Sequence, residues 1–281
     1  MTNSTMVISR PAKTIAEGKI RKKCEDIMTP KFLAIATLLL APWSVNATVW
    51  TINSTSSVTP AGIQSMGAYS VGTTSTSTFS TATLAWYGSA NGLGVLSGSE
   101  TTSSFPDHAV DNNGRIEAVL FRFDGSTILD KLTVGWPDTT AYDSDISVLR
   151  YTGAVPASGP LTGAADISGK SISGLLSNSW EFVGSYNTVG DVAEDINPSN
   201  LSSSLWLISA YSSSWGSGKG DPSSQLNNSN DYFKLTQLVG TAGTPGGGGG
   251  VGSVPEPTSL LLLASGILGW RINRKNQALA A

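Results

Sequence analysis

From Thr48 to Gly240 apolar and polar positions alternate over short stretches, and no long run repeats every third or fourth residue. A period of two sends successive side chains to opposite faces of an extended chain, so the pattern predicts strands rather than helices. The clearest is Arg115 to Phe123 (RIEAVLFRF), with Val119, Phe121 and Phe123 on one face and Ile116, Ala118 and Leu120 on the other. Apolar on both faces, it is expected at the centre of a sheet. Further strands are expected at Val49 to Asn53, Thr83 to Tyr87, Lys131 to Trp136, Ile146 to Tyr151, Glu181 to Tyr186, Leu205 to Tyr211 and Tyr232 to Val239. Turn-forming steps separate them, among them Phe123-Asp124-Gly125-Ser126 and Thr152-Gly153-Ala154. About eight short strands at this spacing predict an all-β fold with a jelly-roll-like β-sandwich core. Helix is expected only as a turn around Asp191 to Asp195, and the Ser/Thr-rich tract Ser70 to Thr81 as an exposed loop or edge strand.

The pattern changes at both ends. Residues 1–47 read as a leader: Lys31 precedes the apolar run Phe32 to Leu40, Pro42 breaks it, and Val45-Asn46-Ala47 offers small residues to signal peptidase, with cleavage after Ala47. Residues 1–27 would be an unusually long polar and basic start, so translation is expected to begin at Met28. Residues 48–240 form the β domain and residues 241–253 (TAGTPGGGGGVGS) a flexible linker. Residues 254–281 then place Pro255-Glu256-Pro257 before the uncharged stretch Ser259 to Trp270 and a basic cluster. The two prolines fix φ and remove two backbone donors, so the tripeptide stays extended and accessible. With its neighbours the apolar stretch gives about fifteen residues of helix, roughly 22 Å long, which is marginal for a bilayer and relies on its flanks.

Proline-glutamate-proline, a short apolar helix and a basic cluster at the C-terminus resemble the PEP-CTERM sorting signal of exosortase-dependent surface proteins of Gram-negative bacteria. The resemblance implies that Pro255, Glu256 and Pro257 are read by exosortase and that Leu260, Leu261, Leu262, Leu263, Ile267, Leu268 and Trp270 lie in a transient inner-membrane span. Arg271, Arg274 and Lys275 would be the retention charges. It also implies removal of the tail and delivery to the cell surface or an exopolysaccharide matrix. The series His108-Ala109-Val110-Asp111-Asn112, a Phe-x-Phe-Asp strand, Gly135-Trp136 and Asp143-Ser144-Asp145 is similar to one subgroup of these proteins, which implies a shared core with no established enzymatic activity.

Charge and composition narrow the function further. Residues 48–254 hold 7 Lys/Arg against 16 Asp/Glu, a net charge of −9, whereas the whole chain carries −3. Such a surface repels nucleic acid. The one cysteine, Cys24, lies in the leader, so the exported domain has no disulfide. Asp111 and Asn113 before the central strand, and Asp143 and Asp145 after it, are candidate oxygen ligands for Ca²⁺. An EF-hand loop starting at Asp111 is excluded, because Gly114 stands fourth and Arg122 twelfth. The plainer readings are an Asx turn at Asp111 to Gly114, and pairing of Asp143 and Asp145 with Arg122 or Arg150. His108, the single histidine, is the only base on which a hydrolase could be built, and there is no Gly-x-Ser-x-Gly elbow. Carboxylates for glycoside hydrolysis could be drawn only from Asp143, Asp145, Glu181 or Glu194. Of Trp86, Trp136, Trp180, Trp206 and Trp215, the last has the most loop-like surroundings and is the candidate sugar platform. A structural or adhesive surface protein is therefore expected, without enzymatic activity, with a carbohydrate-binding module and a His108 hydrolase as alternatives.

Overall fold

The computed structural model describes residues 47–243 apart from 75, 137–141, 188 and 229. The expected signal peptide upstream of Ala47, linker residues 244–253 and the whole sorting segment lie outside the described residues. The described chain runs β1 (Thr48–Ile52), β2 (Val58–Thr59), β3 (Ile63–Gly72), β4 (Ser80–Thr81), β5 (Thr83–Trp86), β6 (Leu93–Leu96), β7 (Val110–Asp111), β8 (Arg115–Val134) and β9 (Ile146–Tyr151). The short helix α1 (Ile172–Leu176) follows, then β10 (Trp180–Tyr186), β11 (Glu194–Asp195), β12 (Ser202–Ala210), β13 (Tyr232–Phe233) and β14 (Leu235–Thr241). All-β character is as the alternation predicts. Helix occurs at α1 rather than near Asp191, where Ser171 caps it by accepting from the Gly174 N–H at 3.1 Å.

The expected central strand is central and longer than its pattern. Twelve strands join one antiparallel sheet along the path β10-β9-β12-β8-β14-β1-β2, with β3 also on β8, and β7 pairs β13 separately. The first half of β8 lies between β12 and β3 over Ala118–Arg122, and its second half pairs β14. The Asp124-Gly125-Ser126 step does not reverse the chain. It becomes a bend inside one continuous strand that takes in the expected Lys131 strand. Register shifts opposite this step, between Ser203 and Leu205 and between Ile63 and Ser65, absorb it as bulges.

Both faces of the sheet are apolar, and each has its own core. On one face Val119, Phe121, Val148, Trp206 and Ile208 meet Trp50, Val95, Leu129, Leu132 and Leu238 in a single cluster. On the other, Ile116, Leu120, Leu149 and Leu207 lie under Leu175 of α1, Ile167, Trp180, Phe79 and Trp215. Phe79 is buried at the end of the Ser/Thr-rich tract and stacks on Trp215 with centroids 5.8 Å apart, so that tract is anchored rather than a free loop. One buried charge inside the sheet, Arg122, finds partners in a loop. The Arg122 guanidinium donates to the carbonyls of Gly159, at 2.5 Å, and Pro156.

Trp206 closes the bend. Its ring is fully buried and its indole N–H is shared between the Thr127 carbonyl, 3.2 Å away, and the Ser203 carbonyl at 3.1 Å. Both acceptors flank the bulge. Trp206→Phe keeps most of the apolar area but takes this donor from two buried carbonyls, a loss of about 1–3 kcal/mol. A urea series should show a lower midpoint at an unchanged m-value, and an unaltered midpoint would mean that the indole N–H does not hold the bend.

Candidate functional site

The loop ends around β7, β9 and β13 bring together carboxyl groups that are far apart in sequence. Asp143 and Asp145 precede β9, Asp231 precedes β13, and Asp143 and Asp231 form a parallel bridge. Ligand oxygens of Asp143, Asp145 and Asp231 all lie within 4.8 Å of one another. Asp145 and Asp231 are fully buried. Amide donors surround the group: the Asp145 N–H reaches Asp231 Oδ1 at 3.2 Å, the Asn227 N–H reaches Asp145 Oδ2 at 3.1 Å, and Asn227 Nδ2 reaches Asp143 Oδ2 at 2.6 Å. Asn112 Nδ2 donates to Asp231 Oδ2. Asp143 Oδ1 is shielded from solvent and has no partner among the described residues. Burial, then the contact with the Asp143 carboxyl and the charges of Asp145 and Asp143, push the Asp231 carboxyl up to about 11.

A second carboxyl group lies one strand away. Asp111 and Glu117 are both fully buried, and the Asp111 N–H is 3.3 Å from Glu117 Oε2. Asp111 Oδ2, Glu117 Oε1 and the neighbouring Ser97 Oγ have no hydrogen-bond partner among the described residues. Burial raises both carboxyls; the charges of Glu100 and Asp107 raise Asp111 further, and those of Asp111 and Glu100 raise Glu117 further. Lys234, also buried, stands on the same side: its Nζ lies 3.3 Å from the Trp136 ring centroid and 4.9 Å from that of Tyr87. Burial lowers its ammonium to about 7, against a partial restoring pull from Asp111.

The candidate residues divide accordingly. Asp143 and Asp145 meet as the extended-chain spacing suggests, whereas Asp111 and Asn113 do not join them. Asp111 Oδ1 instead accepts from the Asn113 N–H at 2.9 Å, an Asx turn leading to Gly114 at φ 73°, and Asn113 Nδ2 donates to Asp107 at 3.1 Å. Arg150 pairs with Glu181 at 2.6 Å rather than with either aspartate, because the two face each other across β9 and β10. Glu194 is exposed on β11. His108 packs among Tyr87, Phe105 and Trp136, and no serine or carboxylate hydrogen-bonds its imidazole among the described residues. Burial, then the charge of Lys234, lowers its affinity for a proton. Trp215 is fully buried, with its indole on Ser209 Oγ at 3.3 Å, so it offers no face to a sugar. Its loop flanks misled because Ser212 turns the chain inward through the Trp215 N–H bond to its carbonyl. Ala47 is exposed immediately before β1. Asp231, Glu117 and Lys234 are absent from the sequence candidates; for Glu117 and Lys234 the charge inside the apolar runs RIEAVLFRF and YFKL was the available signal, and for Asp231 there was none.

Glu117 faces Asp111, Glu100 and Ser97, with Lys234 and Arg115 the nearby cations. Its folded form holds a proton that the unfolded form releases above about pH 4. The stability it contributes is therefore complete below that pH and is lost as pH rises. Between about pH 5 and pH 7, unfolding free energy from urea melts should fall with pH more steeply in the wild type than in Glu117→Gln. Equal slopes would show that this carboxyl stays ionised.

Among the described residues no helix is long and apolar enough to cross a membrane. No curated protein and no solved structure matches the chain. Residues 253–275 match the family model of the PEP-CTERM protein-sorting motif, which covers the Pro-Glu-Pro step and the basic cluster. The chain thus carries a PEP-CTERM sorting signal, and this marks it as an exosortase-targeted, exported protein.

Proposed function

We propose that the chain is a structural or adhesive protein of the cell surface or extracellular matrix, associated with exopolysaccharide and released from the inner membrane by exosortase. The observation that supports this most is the sorting motif at residues 253–275. In this reading signal peptidase cuts after Ala47, Leu260 to Trp270 spans the membrane in transit, and Arg271, Arg274 and Lys275 hold the far end in the cytoplasm. Exosortase then grips the rigid Pro255-Glu256-Pro257 step, and residues 241–253 keep that step clear of the domain. The displayed part would be a β-sandwich, a reading supported by the apolar cluster that both halves of β8 share. No reaction is assigned to it.

Fractionation of cells carrying the wild type or Glu256→Ala, with mass spectrometry of the mature C-terminus, tests this. The wild type should leave the membrane without its tail, and Glu256→Ala should remain membrane-bound and full length. Release of uncut protein, or equal processing of both, would refute it.

We also propose a Ca²⁺ site at Asp143, Asp145 and Asp231, supported by three clustered carboxylates, one with a shielded and unpartnered oxygen. All-oxygen, acidic donors suit a hard cation. Ca²⁺ at a hundredfold excess over its Kd should stabilise the domain by about 2.7 kcal/mol. Thermal melts with Ca²⁺ or a chelator should show the shift in the wild type and not in Asp145→Asn/Asp231→Asn. Identical responses would dismiss the site.

A further inference from the structure

The second carboxyl group, beside β7 and β13, supports a different chemistry that does not depend on the export reading. In the β7–β13 pair Asp111 stands opposite Tyr232 and Val110 opposite Phe233. Val110, Phe233 and Leu235 point into the core cluster, so Asp111, Tyr232 and Lys234 occupy the other face. Asp111 and Lys234 are therefore diagonal neighbours across two paired segments, a separation that a long side chain spans.

All three polar groups here are poorly satisfied. Lys234 is 2 % exposed, and its side-chain amine makes no hydrogen bond or ion pair among the described residues, its Nζ resting on the Trp136 ring. Asp111 and Glu117 are 0 % exposed, and each has an oxygen without a partner. An amine, a carboxyl group and a second carboxyl group beside the first, shielded from water, are the components of an amide condensation.

We propose that Lys234 and Asp111 join in an intramolecular isopeptide bond, with Glu117 moving the proton. Rotation about the lysine torsions takes Nζ from the Trp136 face to Asp111. The Nζ lone pair attacks Asp111 Cγ of the neutral acid. Glu117, itself neutral, gives its proton to the departing hydroxyl while its other oxygen takes one from the nitrogen. The C–O bond breaks as the C–N bond forms, one water leaves, Glu117 regains its starting state, and nothing is oxidised or reduced. The protonation states required, a neutral amine and neutral carboxyls, are those that burial favours at this spot. Residues 48–281 contain no cysteine, so a bond that ties β7 to β13 would give the exported domain a covalent clasp of another kind.

The test is a tryptic digest of the denatured full-length protein, read by mass spectrometry. The expected product is a branched peptide that joins the Asp111 and Lys234 segments, lighter than their sum by one water and uncut after Lys234. It should be missing from Lys234→Met and Asp111→Ala digests, and reduced in Glu117→Ala. Recovery of both linear peptides from the wild type, with Lys234 fully cleavable, would overturn the proposal, and so would a water loss at Asp111 that persists in Lys234→Met. The wild-type digest decides the matter even if a variant fails to fold.

Discussion

The burial of β8 on both faces is the constraint on which the rest of the fold depends. A strand whose two faces are apolar must be covered twice, so β12 and β3 flank its first half while separate clusters form above and below. Its second half turns at Asp124–Thr127 to pair β14, which brings Leu129 and Leu132 into the same cluster as Val119 and Phe121. The bend is tolerated because the bulges opposite it leave carbonyls that the Trp206 indole can satisfy.

Two of the charges in this strand are buried, and they are handled differently. Arg122 projects into a loop whose carbonyls accept from its guanidinium, so its charge is solvated by backbone dipoles. Glu117 has the Asp111 N–H and otherwise an unpartnered oxygen. A carboxyl group in that position can lose its charge by taking a proton, by meeting a cation or by becoming an amide. What stands beside each carboxyl decides among these. The Asp143–Asp145–Asp231 group sees other carboxyls and amide donors, which favours a proton or a cation. Asp111 has the Lys234 amine on its own face, which opens the third route.

Strand identity was open to sequence reasoning wherever Val, Ile and aromatic residues alternate, as in β9, which occupies the expected Ile146–Tyr151. It was hidden at β3, where small or polar residues such as Ala68 and Ser70 fill buried positions and the pattern looks like a loop. The bend in β8 was misread for a related reason: Asp-Gly signals a turn locally, but the pairing on either side of it is worth more than the reversal. Trp215 was misjudged because its serine-rich flanks describe the backbone and not the ring. The aspartate group was half visible, since Asp143 and Asp145 are neighbours in the chain, while Asp231 arrives only through pairing across 88 residues. Long-range pairing has no signature at either end of the sequence.

That contrast separates the two kinds of information in the chain. A sorting signal is read by an enzyme from an extended segment, so its chemistry must be complete in consecutive residues, and the Pro-Glu-Pro step is. The chemistry of the domain is assembled from β7, β8 and β13 and the loop before β9, and exists only once these have packed. Three aspartates within 4.8 Å and a lysine over an indole ring are costly arrangements that the strand pairing imposes. Their stability therefore depends on the medium: acid or a cation discharges the aspartates, whereas neither substitutes for the amine beside Asp111. On the proposed cation site, the pH and divalent-ion content of the medium would together set the stability of this acidic, exported domain.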